Sequence, residues 1–358
     1  MKRVKTALVG CGKVAGIHAE ALRISGASEL VGVCDKDASR AQQFATKYGG
    51  APFTDLAALL SEARPDAVVI CTPHPLHAEA TVAAAEAGAH VLVEKPMAAS
   101  LEDCDRMIEA TRKAGVQLGV VSQRRFYEPV TRMKAAIDAG KIGKPILGVF
   151  QMYSWRDEAY YQSDPWRGTW DGEGGGVLVN QSPHQLDILQ WLMGPIEEIS
   201  GYWGTLNHPS IEVDDTAVAV VRFRSGALGS IIASVSQKPG IYTKVHIHGS
   251  NGASVGVETD HGATFVAGVS SGVADPPLND LWTIPGEEDL LAKFESEDRA
   301  LASDRDVMQY YHALQIDDFL TAINEGRAPA VTGEDGRIVV EMAQAIYRSQ
   351  RERRPVKL

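Results

Sequence analysis

Val4-Lys5-Thr6-Ala7-Leu8-Val9-Gly10-Cys11-Gly12-Lys13-Val14-Ala15-Gly16 is the stretch that decides the fold. Its apolar first half predicts a buried strand, and Ala15 opens a predicted helix. A strand that runs through glycines into a helix is typical of the first turn of a doubly wound α/β sheet. Gly10 permits the tight turn, and Gly12 lets the backbone approach a pyrophosphate at the helix N-terminus. Ala15 is small enough for close helix–strand packing, so Lys13 and Val14 are expected beside a dinucleotide.

The second strand ends in a carboxylate that bears on the cofactor. Asp35 follows Leu30–Cys34, at about the 20-residue spacing expected of a group that binds the adenosine ribose hydroxyls. Because a carboxylate repels a 2′-phosphate, Asp35 favours NAD over NADP. The neighbouring Lys36 weakens that preference. The alternative interpretation, a plain glycine turn with a solvated Asp35, is disfavoured by the strand–loop–helix context.

Alternation of apolar runs with helical stretches continues through the first third of the chain. Strands that are apolar throughout indicate a parallel sheet covered on both faces, and therefore an α/β Rossmann domain over residues 1–123. The predicted strands are Val4–Val9, Leu30–Cys34, Ala67–Cys71, His90–Val93 and Gln117–Val121, and the predicted helices are Ala15–Ile24, Ala38–Tyr48, Asp55–Glu62, Pro75–Ala87 and Leu101–Ala114.

The pattern changes after about Gln123, where residues 124–358 predict an α+β domain with an open, mostly antiparallel sheet. Ala217–Phe223 and Ala227–Ser236 alternate in polarity around Ser225-Gly226, which predicts a hairpin. The remaining strands are predicted over Ile146–Trp155 and Ile241–His248, and the helices over Pro129–Ala139, Ser182–Met193, Asp306–Asn324 and Glu334–Arg351. Packing of the last two helices back on the first domain is left open. The acidic, Gly/Pro/Ser-rich residues 258–306 predict long excursions or a lid.

The composition excludes several classes of protein. The chain has 358 residues, 44% hydrophobic and 23% charged, with a net charge of -11, which disfavours a nucleic-acid partner. No apolar run is long enough to cross a membrane. The four cysteines lie apart without a CxxC pair, so we expect packed, reduced thiols in a cytoplasmic protein.

Two further strand ends carry the chemistry. In Val91-Leu92-Val93-Glu94-Lys95-Pro96 the proline stops strand pairing, so Lys95 is expected at the carboxyl edge of the sheet, where ligands bind. Cys71-Thr72-Pro73-His74-Pro75-Leu76-His77 ends the preceding strand, and its backbone is expected near the nicotinamide side of the cofactor. His74 and His77 look like a metal pair, but no further ligand is spaced to complete a site, so no metal is predicted.

These segments resemble the glucose–fructose oxidoreductase/inositol dehydrogenase (Gfo/Idh/MocA) family. The resemblance rests on the glycine loop, on Thr72-Pro73 with His77, and on Glu94-Lys95-Pro96. It extends over essentially the whole chain, through Trp166–Trp170, Gly174–His184, Gln315–Gly326 and Thr332–Leu358. It implies a Rossmann domain with an open-faced sheet domain, a nicotinamide cofactor, and sugar or cyclitol substrates. It also implies a cis Lys95–Pro96 peptide.

Oxidation of a secondary alcohol needs a base for the hydroxyl proton, and neutral histidine suits that task. The resemblance implies that His184 is this base and that Lys95 contacts the reacting hydroxyl and the nicotinamide ribose. Many inositol dehydrogenase-like members carry aspartate where this chain has Asn180. An amide orients the ring or a substrate hydroxyl but cannot stabilise imidazolium by charge. Asp187, one helical turn after His184, either supplies the charge that Asn180 lacks or only caps and packs the helix.

The remaining candidates are aromatic and basic. The resemblance suggests that Trp166 and Arg167 contact cofactor or substrate, the alternative being a surface pair. An aromatic and charged run is a candidate sugar-binding wall, unless alternate residues belong to the core. Arg124 is a further substrate candidate, and Glu94, Thr72, Pro73 and His77 are cofactor candidates. His312, near the start of a late helix, is a weaker candidate without an assigned role. The wall comprises Tyr153, Trp155, Arg156, Asp157, Tyr160 and Tyr161.

The sequence therefore predicts an NAD-dependent oxidoreductase that converts a ring hydroxyl of a sugar, glycoside or cyclitol to a ketone, or the reverse. One alternative is a sugar-nucleotide 3-dehydrogenase, whose diphosphate would need Arg124, Arg125 or Arg156. Another, of a different class, is a catalytically silent regulator that senses NAD or sugar. The uncovered sheet face predicts a homodimer or homotetramer.

Overall fold

The computed structural model describes residues 2–261 and 276–358, which divide into two compact units. The first unit comprises Met1–Gln123 and Asp306–Val340, and the second comprises Arg124–Arg305 and Glu341–Leu358. The chain therefore leaves the first unit after Gln123, returns to it at Asp306 and leaves it again after Val340.

A six-stranded sheet forms the centre of the first unit, in the order β3-β2-β1-β4-β5-β6 among its described residues. All its pairings are parallel, so the Rossmann prediction is confirmed. The order reverses beside β1, where ligands of such sheets bind. The strands are β1 (Val4–Val9), β2 (Ser28–Cys34), β3 (Ala51–Phe53), β4 (Ala67–Ile70), β5 (His90–Val93) and β6 (Leu118–Val120).

Helices cover this sheet because each presents a stripe of small or apolar residues to it. The predicted helices and strands are confirmed to within about two residues, and the short β3 was not predicted. The helices are α1 (Ala15–Ile24), α2 (Ala38–Tyr48), α3 (Leu56–Ala63), α4 (His77–Glu86) and α5 (Leu101–Ala114).

The second unit contains a mixed sheet of eight strands within the described residues, in the order β13-β12-β11-β7-β10-β9-β8-β14. Only the β7–β10 pairing is parallel among them, which confirms the mostly antiparallel prediction. The strands are β7 (Pro145–Tyr153), β8 (Ile196–Gly204), β9 (Thr216–Phe223), β10 (Leu228–Ser234), β11 (Tyr242–Gly249), β12 (Ser254–Asp260), β13 (Leu278–Trp282) and β14 (Val356–Lys357).

One face of this sheet is covered by a helix that the site depends on. The helices are α6 (Glu128–Asp138), α7 (Glu158–Gln162), α8 (Trp170–Glu173), α9 (Pro183–Met193) and α10 (Leu290–Ser303). A Cβ added at Gly148 in β7 would lie 2.8 Å from Leu189 and Met193 of α9. Glycine therefore lets α9 pack directly on β7. On the opposite face, Val218 and Val220 of β9 are exposed among the described residues.

Two long helices close the chain, α11 (Val307–Glu325) and α12 (Gly333–Glu352). Ile316, Phe319 and Leu320 of α11 are fully buried in the same core as Leu8 and Leu92 of the Rossmann sheet. Burial of each such side chain contributes about 1.5–3 kcal/mol. The first unit thus completes its core with a helix from the far end of the sequence.

The lid predicted over residues 258–306 is wrong where the structure describes them, because they form β13 and α10. Asn279 fixes β13 by donating its amide hydrogens to the carbonyl oxygens of Pro129 and Gly256, each at 3.0 Å. The ring of Trp282 meets Phe294 of α10 edge-on at 5.1 Å. Residues 262–275 of that predicted segment lie outside the described residues. None of the described helices has the length and apolar character needed to cross a bilayer.

Candidate active site

The glycine loop between β1 and α1 has the shape that a dinucleotide needs. Gly10 has φ +90°, and a Cβ there would lie 2.8 Å from the backbone of Cys71 and Thr72. Only glycine fits, because the loops after the neighbouring strands β1 and β4 touch at this point. A Cβ at Gly12 would meet no described atom within 4 Å, so the backbone is open to a pyrophosphate.

Asp35 is held beside this loop as a ribose-binding carboxylate would be. Its Oδ2 accepts a hydrogen bond from the Cys11 N–H, and its Oδ1 accepts one from the Asp37 N–H, both at 2.9 Å. The guanidinium of Arg40 lies 3.6 Å away. The open space at Gly12 and the fixed carboxylate fit the pyrophosphate and ribose of NAD.

Lys95 lies at the carboxyl end of β5, on the same sheet edge as the glycine loop. The Lys95–Pro96 peptide is cis, as the resemblance implied. The Lys95 N–H donates to Glu94 Oε2 at 2.9 Å, and Glu94 Oε1 lies 2.7 Å from His18 Nε2. Burial by itself would raise the pKa of Glu94, but the hydrogen bond and charge of His18 and the charge of Lys95 hold it far below its usual range. Glu94 therefore stays ionised near neutral pH and accepts the hydrogen bond that fixes the Lys95 backbone.

His77 joins two of these loops. Its ring is fully buried; Nδ1 lies 3.0 Å from the Pro96 carbonyl oxygen and Nε2 lies 2.8 Å from that of Thr72. Burial lowers its pKa. This position supports local hydrogen bonding by His77, and its contact with cofactor stays a prediction.

A buried trio in the first unit was not predicted as a group. Ligand atoms of His18, Glu94 and His312 lie within 4.8 Å of one another. The ligand atoms of a tetrahedral zinc lie about 3.3 Å from one another, because each metal–ligand bond is about 2.0 Å long. His18 Nε2 and Glu94 Oε1 are closer than this, at 2.7 Å. The spacing is that of a hydrogen bond, and Nδ1 of His312 lies 2.7 Å from the Met308 carbonyl oxygen.

The second unit presents its candidate residues on a turn of π-helix, Val177–Gln181, directly before α9. The Ser182 N–H donates to the Val177 carbonyl at 2.9 Å, which is the i→i+5 bond of such a turn. Asp214 is fully buried beneath it, and its carboxylate accepts hydrogen bonds from the Gly176 N–H at 2.7 Å and the Leu178 N–H at 3.1 Å. Burial raises the pKa of Asp214. The entry to the turn is thus fixed through its backbone.

The side chain of Asn180 is held by a carboxylate that the sequence analysis missed. Asn180 Nδ2 donates to Glu173 Oε1 and, at 3.1 Å, to the hydroxyl oxygen of Tyr160. Glu173 is fully buried, and its Oε2 accepts from the Gly168 N–H at 2.7 Å. Burial raises the pKa of Glu173 to about 7. In the sequence Glu173 is one charged residue before a glycine run, and nothing there signals its burial.

His184 lies on the first turn of α9 and is 8% exposed, four residues after Asn180. Asp187, three residues further along α9, binds an arginine. Its two carboxylate oxygens accept hydrogen bonds from Arg125 at 2.7 and 2.5 Å, and both side chains are 4% exposed. Asp187 and Arg125 form a buried structural ion pair.

The predicted sugar-binding wall divides between the two faces of the sheet. Phe150 and Met152 of β7 are buried on the α9 side, so alternation along the strand puts Tyr153 on the open face. There its ring meets Tyr242 at 5.3 Å. The position of Tyr153 therefore speaks against a shared wall with His184. The sequence gives the alternation but does not tell which face a helix covers.

Other members of the wall cluster around Tyr160, close to Asn180. The Tyr160 oxygen accepts hydrogen bonds from Arg167 Nη1 at 2.6 Å and from Gln181 Nε2 at 3.0 Å. The guanidinium of Arg167 lies 4.4 Å from the ring centres of both Tyr160 and Trp166. This side chain is therefore fixed within the second unit, and its contact with cofactor stays a prediction.

The basic candidates differ in their partners. Arg124 is ion-paired with Asp260 and donates to Thr259 Oγ1 at 3.0 Å. Arg156 is 8% exposed; its Nη1 donates to Ser154 Oγ at 3.1 Å and to the Trp155 carbonyl at 2.8 Å. No carboxylate in the described parts of the chain pairs with Arg156.

Comparisons with known proteins agree with this geometry. Residues 4–122 match the oxidoreductase family with an NAD-binding Rossmann fold, and residues 130–255 match the GFO/IDH/MocA C-terminal domain. Myo-inositol 2-dehydrogenase of Thermotoga maritima is 30% identical over 99% of this chain and 98% of its own. The scyllo-inositol 2-dehydrogenase (NAD(+)) of Bacillus subtilis is 28% identical over 99% of this chain and 96% of its own.

A solved structure aligns along the entire chain. The WlbA dehydrogenase from Bordetella pertussis, in complex with NADH and UDP-GlcNAcA, is 31% identical with a TM-score of 0.87. The match covers 100% of this chain and 98% of that one. The protein is an NAD-dependent enzyme, and the chain belongs to the GFO/IDH/MocA family of oxidoreductases.

Proposed function

We propose that this enzyme oxidises a secondary ring hydroxyl of a sugar, glycoside or cyclitol to a ketone, or catalyses the reverse reduction. The observation that carries the proposal is the position of Lys95, which follows β5 at the carboxyl edge of the sheet and whose backbone N–H is bound by the buried Glu94. An ammonium group there stabilises an oxyanion as it develops on the substrate. The named relatives that act on inositols support the substrate class.

The protein's part in the reaction is to move a proton and to orient the substrate. The C–H bond of the carbinol carbon breaks as the carbonyl forms, and NAD, when bound, accepts the hydride. His184 takes the hydroxyl proton, and Lys95 stabilises the negative charge on oxygen meanwhile. Asn180 orients the hydroxyl or the imidazole ring.

The test is NADH formation with a panel of pyranosides and inositols. Lys95→Ala and His184→Ala are each expected to lower kcat by about 100-fold or more, the scale typical of a lost general base or charge stabiliser. Lys113→Ala, at an exposed position of α5, is the control and should match wild type. Near wild-type kcat in both site variants would remove the assignment.

A nucleotide-linked sugar acid is a second candidate substrate, and Arg156 favours it. Of the three arginines considered for a diphosphate, Arg124 and Arg125 are neutralised by Asp260 and Asp187. Arg156 is the buried guanidinium that lacks a carboxylate within the described residues, and such a group favours an anionic ligand. The WlbA dehydrogenase, which binds UDP-GlcNAcA, is a relative of similar length.

UDP and a free uronic acid are the probes that separate the two candidates. Arg156→Met is expected to abolish binding of the anion it recognises while leaving turnover of neutral pyranosides unchanged. Arg224→Met, at an exposed turn, is the control. Binding of neither probe to the wild-type enzyme would leave the neutral substrates as the function.

We also expect a cytoplasmic homodimer or homotetramer built on the open sheet face. Tyr202 of β8 is 77% exposed there and Val220 of β9 is 62% exposed, and such patches mark interfaces. Sedimentation at micromolar concentration tests this, and a monomer would contradict it.

A further inference from the structure

Asn180 has a constraint that follows from counting its hydrogen atoms. An amide nitrogen carries two hydrogens. Both point toward oxygens inside the protein, one toward Glu173 Oε1 and one toward the Tyr160 oxygen, which Arg167 and Gln181 also approach. What Asn180 can offer a substrate hydroxyl or the His184 ring is therefore its carbonyl oxygen, an acceptor.

The orientation of this amide depends on the charge of Glu173. Ionised Glu173 only accepts hydrogen bonds, so it selects the Asn180 rotamer with nitrogen toward itself. Protonated Glu173 carries a donor, which suits the opposite rotamer with the Asn180 oxygen turned inward. The second carboxylate oxygen is occupied by the Gly168 N–H at 2.7 Å, so Glu173 itself is held in place.

We propose that ionised Glu173 is the positioning residue that fixes the Asn180 amide with its carbonyl oxygen toward the reacting hydroxyl. This inference rests on the proposed function. Glu173 supplies the negative charge, and Asn180 makes the contact with the substrate.

The groups around Glu173 set when it is ionised. Burial raises its pKa to about 7, and the carboxylate of Asp214 adds to that effect, while the Gly168 N–H, the Asn180 amide and the guanidinium of Arg167 oppose it. The phenols beside it are un-ionised near neutral pH, because burial raises their pKa values. They are Tyr160, Tyr161 and Tyr347.

A charge-swap cycle tests the proposal. In Glu173→Gln, the introduced amide keeps one acceptor for the Gly168 N–H and turns a donor toward Asn180, so donor faces donor. Asn180→Asp alone puts two carboxylates in contact. The double variant restores a donor–acceptor pair with the roles exchanged.

We expect Glu173→Gln to lower kcat/KM at pH 8 by about tenfold or more, the effect of one charge-assisted hydrogen bond. The loss should fall on kcat, with the Kd for NADH unchanged. The double variant should recover most of that loss and exceed Asn180→Asp. Glu212→Gln, an exposed carboxylate of the same unit, should behave as wild type.

The pH profile separates positioning from mere stability. Below pH 7 wild-type kcat/KM should fall more steeply than that of Glu173→Gln, because protonation of Glu173 removes the charge that holds the Asn180 amide. Wild-type kcat/KM and slope in Glu173→Gln would overturn the proposal, as would a double variant no better than Asn180→Asp; this last comparison stands even when Glu173→Gln alone does not fold.

Failure of the proposed function looks different. In that case the wild-type enzyme forms NADH with none of the carbohydrates. The coupling between Glu173→Gln and Asn180→Asp is then read from urea midpoints, which need no substrate. Midpoint shifts that simply add would overturn the pairing, and a double variant more stable than either single variant would support it.

Discussion

The buried ion pair of Arg125 and Asp187 offers a sharp test of how the second unit is held together. Both side chains are 4% exposed and joined by two hydrogen bonds, at 2.7 and 2.5 Å. The Arg125 guanidinium also lies 5.1 Å from the centre of the Trp191 ring. Arg125→Met leaves a buried carboxylate without its partner, which costs about 3–5 kcal/mol. Arg125→Met with Asp187→Leu removes both charges and should lie within about 1 kcal/mol of wild type or above it.

Tryptophan fluorescence in urea is the assay, because all six tryptophans lie between residues 124 and 305 and so report the second unit alone. With a slope of about 3 kcal/mol per molar urea, Arg125→Met should lower the midpoint by about 1–1.7 M. Arg299→Met breaks a half-exposed pair with Glu295 and should cost only about 0.3–0.5 kcal/mol. If the double variant is as unstable as Arg125→Met, the cost is lost packing and the reasoning from buried charge is refuted.

Three further perturbations follow from the geometry. Gly10 has φ +90°, and the Cβ that Gly10→Ala adds would lie 2.8 Å from neighbouring backbone atoms. The substitution should therefore weaken NADH binding by about tenfold or more in a fluorescence titration. Gly88 has φ +80°, but a Cβ added there would meet no described atom within 4 Å, so Gly88→Ala should cost only about 1 kcal/mol of stability. If Gly10→Ala and Gly88→Ala weakened NADH binding equally, the role of the backbone contact at Gly10 would be refuted. Asp35→Asn should shift the ratio of NADP to NAD affinity toward NADP by about tenfold, and an unchanged ratio would contradict its ribose role. The pKa of Glu173 is raised to about 7 by burial, so the folded state holds this proton longer than the unfolded state does. Stability followed by tryptophan fluorescence should therefore fall by about 3 kcal/mol as the pH rises from about 4.5 to 7, and Glu173→Gln should flatten that slope.

Sequence reasoning reaches furthest where the residues of a site lie on neighbouring elements of the chain. The glycine loop, Asp35 and the lysine–proline turn can be read along the chain because each contact involves neighbouring strands of a regular βαβ array. It failed where burial decides the role. Glu173 could not be singled out because contacts between distant parts of the chain bury it, and the face of Tyr153 could not be assigned because alternation along a strand defines two faces without telling which one a helix covers.

The acidic composition of residues 258–306 likewise favoured a lid over regular structure. The segment that forms β13 and α10 is charged and poor in long apolar runs, so it resembled a loop. Within it, the amide of Asn279 in β13 donates hydrogen bonds to the carbonyl oxygens of Pro129 and Gly256 on other elements. Partners so distant in sequence leave no periodic signal.

Because α11 belongs to the Rossmann core but comes late in the chain, this core can be completed only late in translation. When the ribosome has released residues 1–123, the surface that receives Ile316, Phe319 and Leu320 is still bare. About 200 more residues must be translated before that helix emerges, which takes about 10–40 s at 5–20 residues per second. During this interval the nascent dinucleotide domain exposes an apolar surface to which chaperones can bind. If translation stops before α11 is made, the incomplete unit is the one that was synthesised first.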